Sequence, residues 1–100
     1  MKLKVLTKIK DYEGKEIELG ADGPITLRTI ISSALNNNDP QEQITAEDKA
    51  KIYQLSTKIW NKKEVDLTLD DRTFIKDRAG KNLSAMIYGR LCDVLEDKKT

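Results

Sequence analysis

From Lys2 to Lys10 the chain alternates: Leu3, Val5 and Ile9 fall on one side, with Thr7 among them, and Lys2, Lys4, Leu6, Lys8 and Lys10 on the other. A period of two marks a strand with one buried face, because successive side chains point to opposite sides of a sheet. "DYEGKE" interrupts the run with Asp11 and Gly14, residues suited to a turn. "EIEL" resumes it, with Ile17 and Leu19 inward and Glu16 and Glu18 outward. Two alternating runs around a glycine-containing turn predict a β-hairpin, closed by the "GADGP" loop at 20–24.

The period then changes. Leu27, Ile30, Ile31, Ala34 and Leu35 fall at i, i+3, i+4, i+7 and i+8, the buried stripe of an amphipathic helix. Thr26 is placed to cap it, and "NNNDP" from Asn36 to Pro40 ends it, with a loop running on to Gln43. A second helix is predicted over "TAEDKAKIYQLSTKIWNKK", with Ile52, Leu55 and Ile59 as its core line and Tyr53 and Trp60 together on one shoulder. "EVDL" reads as a short extended piece. A short helix follows from about 69 to 79, then a break at Gly80, then a last helix from about 84 to 97. Leu83, Ile87, Leu91, Val94 and Leu95 form the main apolar face of that last helix. The fold class is α+β: an N-terminal hairpin, with or without a third strand at 64–67, packed against four short helices around one core. The 100 residues are enough for a single domain over 1–100 and too few for two with proper cores.

Composition narrows the function classes. Lys plus Arg (18) nearly cancel Asp plus Glu (17), so a net charge of +1 exerts no global pull on nucleic acid or an acidic membrane. No apolar run approaches the ~20 residues of a membrane span. Cys92 stands alone and forms no internal disulfide, which suits a reducing cytoplasm. Histidine is missing altogether, which removes the commonest general base near neutral pH and the commonest zinc ligand. No catalytic, cofactor-binding or metal-binding residues are assigned, and the expectation is a protein that is not an enzyme.

Four features remain to be weighed. The acidic run "EVDLTLDDRTFIKDR" reads as a helix start: Thr68 and Asp71 have the spacing of a capping box, and Asp70 and Asp71 meet the positive end of the helix dipole. A calcium loop would require a glycine at its sharp turn, which the run lacks. Lys2, Lys4, Lys8 and Lys10 share one strand face; Glu16 and Glu18 on the paired strand would neutralise much of it, and nucleic-acid binding is the weaker reading. Tyr53 and Trp60 finish a core in the first reading and anchor a partner in the second. The last helix carries a second face of Ala85, Tyr88, Gly89 and Cys92, which makes that helix the hub of the fold or else a self-association surface. Cys92 itself reads as a packing residue.

The order of "DYEGKEI", "ITLRTIISSAL", "KAKIYQLSTKI", "EVDLTLDD" and "IYGRLCDVLE" resembles that of small accessory proteins of tailed bacteriophages and prophages. The resemblance implies a cytoplasmic protein of an infected bacterium and brings no active site. The function expected is non-enzymatic protein–protein contact, as an assembly factor or as a modulator of a host or defence protein, in a chain that forms a homo-oligomer. The alternatives are a nucleic-acid-binding module and a site for a small anionic ligand such as a nucleotide.

Overall fold

Leu3, Val5 and Ile9 are buried as the alternation requires, but the strand they belong to is short. In the computed structural model, which describes residues 2–18, 23–37 and 43–96, β1 spans Lys2–Lys4 only. Its antiparallel partner is β2, Glu64–Asp66, in the register Lys2↔Asp66, Leu3↔Val65, Lys4↔Glu64. The extended piece at 64–67 is therefore a strand, and its partner is the start of the chain. After Lys4 the chain turns, and the carbonyls of Val5 and Thr7 accept from Arg28 and Leu27 at 2.8 and 2.9 Å. These are amides of the first turn of α1 (Leu27–Asn36), groups that a helix cannot satisfy within itself. That turn divides the expected continuous strand, and with it the expected lysine face: Lys2 and Lys4 lie on β1, Lys8 and Lys10 beyond the turn.

The hairpin forms between 8–10 and 16–18 through the Lys10↔Glu16 bridge. Asp11 builds its turn, its Oδ1 accepting from the amides of Glu13 and Lys15, while Gly14 takes the φ of 86° that glycine tolerates best. A third extended segment, 24–26, joins it. Ile17 N–H donates to Ile9 O, Ile25 N–H to Ile17 O, and Ile9 N–H to Ile25 O, at 3.0, 2.7 and 3.1 Å. Three isoleucines spaced eight apart thus close a ring of backbone hydrogen bonds. Each segment pairs with both others, so only isolated bridges form in place of a ladder. Leu19, residues 20–22 of the expected loop, 38–42 of the loop after α1, and residue 97 lie outside the described residues.

Four helices complete the fold: α1, then α2 (Ala46–Asn61), α3 (Leu69–Asn82) and α4 (Ala85–Leu95). Threonines cap three of the helix starts. Thr26, Thr45 and Thr68 accept from Thr29, Asp48 and Asp71 amides, and Asp71 returns the bond to Thr68 N–H at 3.1 Å. The break expected at Gly80 does not occur there. α3 runs through Gly80 to Asn82, and the Tyr88 ring packs over Gly80, 3.7 Å from where a Cβ would sit. The chain breaks instead at Leu83 and Ser84.

The hub is α1, not the last helix. Leu27, Ile30, Ile31, Ala34 and Leu35 are all buried, and α2, α3 and α4 all pack on α1. α4 buries only Leu91 and Leu95 completely, with Leu83, Ile87 and Val94 half-buried nearby. The small residues of its second face leave it too little apolar bulk to organise the core.

Three of the four arginines fasten helix ends, and the fourth fastens a turn. Arg28 donates to Ile59 O and Lys62 O at the end of α2, and Arg72 to Leu95 O at the end of α4. Arg78, only 6% exposed, donates to Asn37 O at the end of α1, where Asn82 also reaches Ala34 O. Arg90 holds the hairpin turn through Lys10 O and Asp11 O. The last carbonyls of a helix lack intrahelical donors, and a forked guanidinium can serve two acceptors at once.

α3 and α4 are further tied by Lys76 and Glu96, whose charged groups meet at 2.6 Å. The hydrogen bond from Lys76 to Glu96 raises the lysine pKa above its ordinary 10.5, and the hydrogen bond between Tyr88 and Cys92 raises the phenol above 10.0. Groups whose pKa is higher in the folded state add stability that is full below the unfolded value and is lost as pH rises through the folded one. Urea midpoints are therefore expected to fall modestly above about pH 10. A Lys76→Met, Tyr88→Phe double variant should show a shallower alkaline limb; parallel limbs would contradict the assignment.

Candidate interaction surface

On α2, positions 53 and 60 lie about 100° beyond 52 and 59 around the helix, so the core line Ile52–Leu55–Ile59 does not carry them inward. Tyr53 is 72% and Trp60 54% exposed. This overturns the expectation that the aromatics finish the core. They stand along the seam between α2 and the antiparallel flank of α1, where Arg28, Ser32 and Asn36 recur every fourth residue.

The seam is organised by polar contacts. Trp60 Nε1–H donates to Ser32 Oγ at 3.1 Å, and the Arg28 guanidinium lies 5.3 Å from the indole centroid, within cation–π range. Because Arg28 is also held by the carbonyls of Ile59 in α2 and Lys62 just past its end, the indole is flanked on one side by an anchored group. Asn36 Nδ2 donates to Ser32 O and Ser56 Oγ, at 2.9 and 3.0 Å. Beyond Asn36 the seam opens into a groove of about 320 Å³ lined by Leu35, Asn36, Ile44, Lys49, Ile52, Tyr53 and Ser56. Among the described residues, no carboxylate lines it. The result is two exposed aromatics, one rigidly seated, at the edge of a mainly aliphatic hollow.

The other expected residues lie elsewhere. Ala85 and Gly89 are exposed on α4, while Tyr88 and Cys92 are half-buried against α3. A separate hollow of about 170 Å³ beside the hairpin turn is lined by Tyr12, Ala85, Met86, Gly89, Arg90 and Asp93. The six residues therefore form two surfaces, one on α2 and one on α4. On the basic strand, Lys8 pairs with Glu16 at 3.7 Å, as cross-strand neighbours should, and Lys2 and Lys4 face solvent.

The acidic run supplies a helix start. Asp71 serves the Thr68 capping box and pairs with Lys51 at 3.8 Å, and Lys51 in turn lies over the Phe74 ring. This α2–α3 hollow is larger, about 430 Å³; Lys51 and Asp71 pair within its lining, and Lys58, also there, donates to the Asp66 carbonyl. Sequence reading missed the arginine anchors, although the four-residue spacing of Arg28, Ser32 and Asn36 was a legible polar stripe beside the core stripe.

No helix among the described residues is long and apolar enough to cross a membrane. No known protein family, curated protein or solved structure matches this chain.

Proposed function

We propose that the chain is a non-enzymatic accessory protein that acts by holding another protein against the α1–α2 seam. The observation that carries this reading is the exposure of Tyr53 and Trp60 beside an aliphatic groove, with Trp60 seated by Ser32 and Arg28. Trp, Tyr and Arg dominate binding hot spots, and an anchor already ordered in the free protein loses little entropy on binding. The lack of histidine and the structural employment of Asp71 support a role outside catalysis. Resemblance in residue order to small phage and prophage proteins supports the cytoplasm of an infected bacterium as the setting, with a phage or host protein as the partner. A photo-crosslinking amino acid at Tyr53, introduced in the infected cell, is expected to trap one protein. The same group at exposed Thr73 on α3 should not trap it. Trp60→Ala should abolish the adduct; equal trapping from both positions would refute the seam as the binding surface.

A second contact, between copies of this chain, is supported by Gly89. A Cβ there would meet nothing within 4 Å, so the fold of one chain gives no reason for glycine in the middle of α4. Gly89→Ala should raise the stability of the isolated chain by about 0.5–1 kcal/mol through helix propensity. If a second copy approaches α4 closely, the same change weakens self-association in sedimentation equilibrium. An unchanged association state would remove this face from consideration.

A further inference from the structure

We infer that the partner segment bound at the α1–α2 seam is an acidic amphipathic helix, an inference that rests on the seam being the binding surface. Charge is the first argument. Among the described residues, Lys8, Lys15, Lys51 and Lys76 have carboxylate partners. Lys49 and Lys62, at the two ends of the seam, have none, and Arg28 between them is bonded only to carbonyls and stacked on Trp60. A protein with a net charge of only +1 thus has, among the described residues, three cations without a carboxylate partner along one helix pair, and no described carboxylate lines the groove beside them. A like-charged copy of the same seam is disfavoured there, whereas an acidic partner is attracted.

Shape is the second argument. Lys49 and Lys62 are separated by about 20 Å along α2, the length of roughly three to four helical turns. Leu35, Ile44 and Ile52 give the groove an aliphatic floor, and Tyr53 and Trp60, seven residues apart, stand along the same line. Helix-in-groove recognition uses this combination: apolar anchors at i, i+3 or i+4 and i+7 on one face, with charged residues flanking them. Single-stranded nucleic acid fits less well. It needs open aromatic faces and a longer run of cations, whereas one face of Trp60 is covered by Arg28.

The test uses the whole chain and three fluorescent probes read by anisotropy. They are a peptide of about 14 residues with leucines in the i, i+3, i+4, i+7 pattern and glutamates elsewhere, the same peptide with lysines for glutamates, and oligo(dT). The acidic peptide is expected to bind, at least about tenfold more tightly than the basic one, and to weaken as salt rises. Lys49→Glu with Lys62→Glu, both at exposed positions that leave the fold intact, should reverse that preference. Tyr53→Ala should weaken the acidic peptide without reversing the preference. No binding of the acidic peptide, equal binding of both peptides, or tight binding of oligo(dT) alone would overturn the inference. A partner crosslinked at Tyr53 in the cell together with any of those results would leave the seam as a binding surface and remove only the acidic helix.

Discussion

Arg78→Ala is expected to lower the free energy of unfolding by about 2–4 kcal/mol, a large share of the ~5–15 kcal/mol that holds a small domain together. Arg78 is 6% exposed on the inner side of α3, and its Nη2 donates to Asn37 O at 3.0 Å, where α1 ends. Alanine removes that donor, leaves the partly buried carbonyl to find another, and opens a cavity along the path of the side chain. The thermal midpoint should drop by roughly 4–8 °C per kcal/mol in a chain of this size. Two further variants separate the causes. Arg78→Met restores most of the volume without the donor, and Arg78→Lys restores the charge without the fork. If the bond to the α1 end is what matters, both remain destabilised by ~1 kcal/mol or more in urea titrations. Full recovery by methionine would mean that Arg78 acts by filling space alone.

Ile31→Ala is expected to cost about 3–4 kcal/mol, within the range for emptying a fully buried aliphatic site. Ile31 is fully buried on α1, the helix against which α2, α3 and α4 all pack, so a hole there loosens several contacts together. Ile87→Ala on α4 removes the same atoms from a half-buried position and should cost about 1 kcal/mol. Equilibrium unfolding of the two variants side by side measures which helix organises the core. Equal losses would restore α4 to the central place that its apolar circumference suggests.

That misplacement shows how far periodicity reaches. The stripe on α1, the core line on α2 and the threonine caps were all legible, because each depends on residues within one or two turns of each other. The hairpin turn at Asp11–Lys15 was legible for the same reason. What misled was inference from one element to its neighbours. Apolar residues around most of α4 suggested burial on two sides, yet Ala85 and Gly89 face solvent. Tyr53 and Trp60 suggested core, yet the contact between α1 and α2 is already filled by Ile52, Leu55 and Ile59. The candidate site was half visible: its aromatics were singled out, but not the Arg28–Ser32–Asn36 flank that orders them.

The order of local patterns along the chain determined the four helices, the capped starts of the first three and the class of fold, since those follow from backbone geometry and side-chain spacing. Only tertiary structure decided that the first strand pairs with residues 64–66, that three isoleucines close a ring, and which helix sits at the centre. The same holds for the arginines, whose carbonyl partners lie up to 80 residues away. A long flexible cation has many candidate acceptors in the linear chain, and packing selects among them by bringing particular helix ends within reach.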